Sequence, residues 1–197
     1  MSEILKAVET NPREGGATFT LRNRLERLVW SVVWNGVGMW TPVPFHAWRR
    51  ALVRAFGGKI APTAKIYPGV RVWHPRNLEL QPFSCLGRGV NCYSMDRIVL
   101  EPYALVSQGA HLCCGSHDVD DPNFQLFAAA IRVGRNAWIA AEAFVGPGVV
   151  VGEGAILGAR AVTLKSLRPW TIYAGNPARP LRVRHRFRDS RRVEGDS

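Results

Sequence analysis

The side chains best suited to acid–base chemistry fall in one stretch, CCGSHDVDDPNFQLFAAA at 113–130. His117 is the first candidate, because an imidazole titrates near neutrality and can both take a proton and return it. Asp118, Asp120 and Asp121 follow it closely. Short aspartates in such a segment bond to nearby main-chain N–H groups, so they fit the shaping of a loop better than acid–base partnership. Cys113 and Cys114 lie beside the same stretch and raise the alternative of a thiol nucleophile. As sequence neighbours they are poorly placed to form a disulfide, and with Cys85 and Cys92 they match no zinc spacing. His74 and His111 complete the set of chemically interesting histidines in this part of the chain.

Something regular must hold such a segment in place, and the flanking residues supply it. From residue 131 the sequence reads IRVGRN, AWIAAE, AFVGPG, VVVGEG, AILGAR, AVTLKS. Val133, Ile139, Val145, Val151 and Leu157 recur every six residues, and two residues before each stands Ile131, Ala137, Ala143, Val149 or Ala155. Gly134, Gly146, Gly152 and Gly158 follow four of the aliphatics, with Ala140 in the fifth such place. Each unit is a short strand and a turn: the aliphatic and the residue two before it share the inward face, and glycine relieves the bend. Three units close one triangular coil, and coils must stack to bury an interior that no single coil can bury alone.

The same pattern runs upstream through Ala64/Ile66, Val70/Val72, Leu78/Leu80, Ser84/Leu86, Val90/Cys92, Ile98/Leu100, Ala104/Val106 and Ala110/Leu112. The step lengthens to eight at 72–80 and at 92–100, which predicts two-residue corner insertions. Between Leu112 and Ile131 the repeat stops, so residues 113–130 form a loop ejected from the coil. The fold expected is an all-β parallel β-helix over 60–163, with a helical extension at 1–59 and an irregular segment at 164–197.

In the extension, residues 1–18 are polar and expected to be flexible, while 21–40 and 45–56 carry apolar residues at helical spacing around Pro42 and Pro44. Two amphipathic helices with a proline elbow follow from this. They pack on the main domain or on a neighbouring subunit, or serve as a peripheral foot on anionic membrane, with tryptophans at the interface and arginines facing lipid phosphates. Leu28–Met39 is too short to cross a bilayer. Beyond residue 163, Pro169, Pro177 and Pro180 argue against a long regular element, and the arginine-rich end is expected to fray.

A composition of 47% hydrophobic and 21% charged residues excludes a disordered chain. A net charge of +11 favours anionic partners, yet the basic residues form no recognised nucleic-acid module. The polar, acidic start lacks a secretory pattern, and the cysteines suggest a reduced, cytoplasmic protein.

GSHD at 115–118, WIAAEAFVGPGVVVGEGAILGA at 138–159 and AGNPAR at 174–179, in this order, resemble the hexapeptide-repeat acyltransferases. The similarity spans about residues 60–184 and is strongest to sugar O-acetyltransferases of the galactoside, maltose and nodulation type. The helical extension looks like the branch that acts in colanic-acid exopolysaccharide synthesis. The resemblance implies a left-handed coil, against the general right-handed preference. It also implies a homotrimer with active sites between subunits, and direct transfer of acetyl from acetyl-CoA to a hydroxyl with no metal required. His117 would be the general base. Trp138, Ala141, Ala159, Lys165, Arg179 and Arg182 match the coenzyme A surface, with Lys165, Arg179 and Arg182 at positions that face the nucleotide phosphates as charged donors.

Two departures stand out. Ala140 replaces the usual glycine, and the acceptor-holding region reads GRGVNCYSMDR, so Asn91, Ser94 and Asp96 are the acceptor candidates. Two other classes compete. A metal hydrolase like the γ-class carbonic anhydrases would use His74, His111 and His117 around zinc. A non-enzymatic β-helix would be an assembly part.

Overall fold

A computed structural model describes residues 4–186. Each six-residue unit forms a strand of two or three residues, and the strands align into three sheets along a triangular prism. The first sheet stacks Lys59–Ile60, Leu78–Leu80, Ile98–Leu100, Ile131–Val133 and Val150–Val151. The second stacks Lys65–Ile66, Cys85–Leu86, Leu105–Val106, Trp138–Ile139, Ile156–Leu157 and Thr171–Ala174, with Arg179–Val183 added at its end. The third stacks Arg71–Val72, Asn91–Tyr93, His111–Cys113, Phe144–Val145 and Val162–Thr163. Pairing within the stacks is parallel, and only the final pair, Thr171–Ala174 with Arg179–Val183, runs antiparallel.

The inward aliphatics stack in register. Along one line Ile66, Leu86, Val106, Ile139 and Leu157 are all fully buried. Burying each contributes about 1.5–3 kcal/mol. The smaller partners Ala64, Ala104, Ala137 and Ala155 are buried beside them. Ser84, the polar member of that set, turns its hydroxyl to the Gln81 carbonyl at 2.7 Å. The chain bends at a second six-residue period: Asn136, Glu142, Gly148, Gly154 and Arg160 all take positive φ, each just before an inward residue. The glycines after the aliphatics have another cause than the expected relief of the bend. A Cβ on Gly134 would lie 2.7 Å from the Glu153 nitrogen of the next coil, and one on Gly152 2.6 Å from the Pro169 nitrogen.

All departures from strict repetition collect on one edge of the prism, between the third and first sheets. Residues 73–77, 94–97 and 114–130 leave the coil there. The last of these forms a hairpin, Gly115–His117 against Leu126–Ala128, so the ejected loop has regular structure of its own.

Three helices precede the coils: α1 (Ala7–Thr10), α2 (Leu21–Val33), which runs on into a π turn at Trp34–Gly38, and α3 (His46–Ala55). The expected proline elbow joins the last two. They close the open end of the β-helix. In the second coil the carbonyls of Leu80, Ser84, Leu86, Val90 and Cys92 accept N–H groups from the first coil; before the first coil no coil stands. There the carbonyls of Ile60, Ala64, Ile66, Val70 and Val72 accept from Arg54, Arg50, Arg49, Trp34 and Trp30 instead, at 2.6–3.0 Å. Side chains thus replace the missing strand and protect the sheet edge. Arg49 is fully buried and also donates to the carbonyls of Thr41, Pro42 and Val43, which holds the elbow.

Two segments are more ordered than expected. Residues 4–18 are not loose: Ile4 bridges to Phe19, and Gln125 of the ejected hairpin accepts from the Ala7 N–H and donates to the Leu5 carbonyl. Beyond residue 163 the coil continues, with Leu167 bridging to Val151 and Thr171–Ala174 pairing with Ile156–Leu157, before the Arg179–Val183 strand turns back. Pro180 is tolerated because that strand lies at the sheet edge. The expected fraying of the basic end falls largely on residues 187–197, outside the described residues.

Candidate active site

His117 closes the first strand of the ejected hairpin, opposite Leu126. Its Nδ1 lies 2.8 Å from the Phe124 carbonyl oxygen. A carbonyl only accepts, so Nδ1 carries a proton, and in the neutral ring the lone pair is on Nε2. The Phe124 ring stacks on the imidazole with centroids 4.3 Å apart and planes at 12°, and the Arg13 guanidinium lies over the same phenyl, 5.1 Å from its centroid. The Phe124 backbone is left-handed, with φ 54°. The loop aspartates act as expected on local backbone: Asp118 accepts from the Asp120 N–H and Asp121 from the Asn123 N–H.

The two cysteines beside this hairpin are poor nucleophiles. Burial pushes the Cys113 thiol up, and that of Cys114 up to about 12. Both stay protonated at neutral pH, so neither supplies a thiolate. His74 is equally unsuited to the zinc alternative. It is buried behind α2, with Nε2 3.5 Å from the Glu26 carboxylate. His111 lies on the third sheet between Tyr93 and Phe144, with Nε2 3.2 Å from the Asn91 amide nitrogen. Among the described residues no three potential ligands cluster.

The coenzyme candidates divide by position. Trp138, Ile156, Ile172 and Arg182 form one register row across the second sheet. Trp138 is 40% exposed and donates from Nε1 to the Ser107 hydroxyl at 2.8 Å. Ala141 and Ala159 sit one coil apart at the corner after this sheet, tied by the Arg160 N–H to the Ala141 carbonyl at 2.9 Å. Arg179 pairs with Ala174 on the closing hairpin and is exposed. Lys165 is exposed too, but at the following corner, beyond Thr163. Within one chain it is therefore not brought beside Trp138.

The acceptor candidates also separate. Asp96 lines a cavity of about 410 Å³ with Asn77, Arg97, Phe19 and Ala128. Ala128 shares a hairpin face with His117, two strand positions along. Asn91 lies on the third sheet against His111. Ser94 is fully buried, donating to the His74 carbonyl and accepting from the His74 N–H, both at 3.0 Å. Its oxygen is spent tying two coils together.

Residues 130–165 match the family model described as bacterial transferase hexapeptide (six repeats). Over 162 residues the chain is 35% identical to the putative colanic acid biosynthesis acetyltransferase WcaF of Escherichia coli K12, covering 82% of this chain and 89% of that relative. The chain belongs to the hexapeptide-repeat acetyltransferases. Solved structures agree on the fold. A maltose O-acetyltransferase from Clostridium difficile 630 superposes with a TM-score of 0.76 at 17% identity, over 85% of this chain and 90% of that one. A galactoside acetyltransferase in complex with coenzyme A gives 0.74 at 18% identity, over 87% and 88%.

For this acetyltransferase, sequence reasoning missed the setting of His117. Phe124, Arg13 and Gln125 lie in the loop and the polar N-terminal stretch, where no periodicity marks a partner. The one available signal was an arginine, Arg13, in a segment otherwise read as unstructured.

Proposed function

We propose that this enzyme transfers an acetyl group from acetyl-CoA to a hydroxyl of a sugar or exopolysaccharide precursor, with His117 as general base. The observation that carries this reading is the Nδ1–H bond to the Phe124 carbonyl, which leaves Nε2 as the proton acceptor. Nε2 takes the acceptor's hydroxyl proton as that oxygen attacks the thioester carbonyl. The C–S bond then breaks, and the thiolate leaving group recovers the proton from the imidazolium. WcaF, by its name, acts in colanic acid biosynthesis, and this supports a polysaccharide precursor as acceptor.

The coenzyme runs along the second sheet and its following corner. Ala141 and Ala159 leave main-chain groups open to the pantetheine arm, Trp138 forms a wall, and Lys165, Arg179 and Arg182 meet the phosphates. Lys165 stands at a different corner from Trp138, which supports a set completed between neighbouring subunits of a homotrimer. Asp96, in its cavity beside the hairpin, is the favoured acceptor ligand, with Asn91 second; buried Ser94 leaves that role.

Calorimetry with acetyl-CoA on the wild type and His117→Ala tests the donor half without knowledge of the acceptor. Micromolar binding by both, with acceptor-dependent thiol release by the wild type alone, is the expected result. Absence of binding by either removes the proposal.

A further inference from the structure

The helices that close the β-helix have a second face. Along α2, Leu21, Leu25, Leu28 and Val32 succeed one another at spacings of four, three and four, which puts them on one side. That side is opposite Trp30 and Trp34, and it is open: Leu28 is 60% exposed and Val32 67%. On α3 the exposed residues beside Arg54 are Ala47, Trp48, Ala51 and Ala55. The elbow adds Val43 and Phe45, and ahead of it Trp40 at 77% exposure. Trp48 donates to the Val37 carbonyl at 2.7 Å, which joins α3 to the end of α2.

A cap on a coil stack ordinarily turns a polar face to water. This one spends its α3 arginines inward on the carbonyls of the first coil and turns aliphatic and aromatic side chains outward. Arg22 and Arg24 flank the stripe on α2, both exposed; Arg22 also donates from Nε to the Glu26 carboxylate at 3.0 Å. A second copy of a chain with net charge +11 would bring like charge against them. An anionic surface would not.

We propose that the outer face of α2, the elbow and α3 docks on an anionic lipid bilayer, end-on to the β-helix. The aliphatic stripe enters the headgroup region, Trp40 and Trp48 sit at the interface, and Arg22 and Arg24 meet lipid phosphates. Arg49, Arg50 and Arg54 are committed to the carbonyls of the first coil. The docking does not depend on the acetyl-transfer reading.

The full chain is sedimented with phosphatidylcholine vesicles with and without phosphatidylglycerol, alongside Leu25→Glu/Leu28→Glu and, as a variant outside any helix, Trp40→Ser. Wild type is expected to partition at least tenfold better onto the phosphatidylglycerol vesicles, less so as salt rises. Both variants should lose at least fivefold while keeping the wild-type melting temperature and acetyl-CoA binding. No sedimentation of the wild type overturns the proposal. So does a wild-type assembly that dissociates in the variants, since a second copy would then cover this face.

Discussion

The tautomer of His117 is set by a main-chain carbonyl, and the ring is held by a phenyl that itself lies under an arginine. Removing the imidazole deletes the proposed proton acceptor and leaves the second sheet untouched. His117→Ala should lower kcat by about 10²–10⁴-fold with acetyl-CoA affinity unchanged, measured by thiol release and calorimetry. An opposite split is expected at the corner proposed for the coenzyme. Ala159 is exposed in a turn, so Ala159→Trp should leave the melting temperature unchanged and weaken acetyl-CoA binding by about tenfold or more. Unaltered affinity in that variant would move the coenzyme off this corner.

Among the elements, the helical cap is the part whose stability rests most on single side chains. A stack of parallel coils leaves a row of unpaired carbonyls at its first coil, and five donors from α2 and α3 meet them. Arg49→Met keeps most of the side-chain volume and removes the donors to Ile66, Thr41, Pro42 and Val43. Stranding buried carbonyls costs about 1–3 kcal/mol each. With water reaching some of them, a net loss of roughly 3 kcal/mol is expected, read from urea unfolding. The repeat glycines make a second prediction at this scale. Gly152→Ala brings a Cβ to 2.6 Å from main chain in the next coil and should destabilise measurably, although the turn's φ there is ordinary.

For the molecule as a whole, pH acts through two histidines held neutral. Burial lowers the pKa of His111 below the ordinary 6.5, and burial also lowers that of His46, beside the positive charges of Arg49, Lys65 and Arg50. The unfolded chain binds these protons more readily than the folded one, so stability rises with pH across this range. It is fully present above about pH 6.5 and is lost as pH falls through the lowered folded values. Glu26, held below the usual carboxylate range by its hydrogen bond from Arg22 and the charge of Arg76, adds loss only in a more acidic window. Urea midpoints should therefore fall from pH 8 to pH 5.5, and His111→Gln should flatten the slope.

The sequence by itself determined the coils. All thirteen inward pairs, from Ala64/Ile66 to Ala155/Leu157, are buried as the repeat requires, because two residues of every unit must face inward whatever their neighbours do. It also determined the corner where His117 leaves the stack, since an interrupted repeat has nowhere else to go. The tertiary structure alone decided what meets what. That Arg49, Arg50, Arg54, Trp30 and Trp34 serve carbonyls of the first coil follows from an end effect that no local pattern encodes. The same holds for Arg13 over Phe124 and for Ser94 beneath His74, contacts between segments far apart or on successive coils. A hydrophobic period is written in every unit. A hydrogen bond from an irregular segment depends on the path of the whole chain, and only folding brings its two ends together.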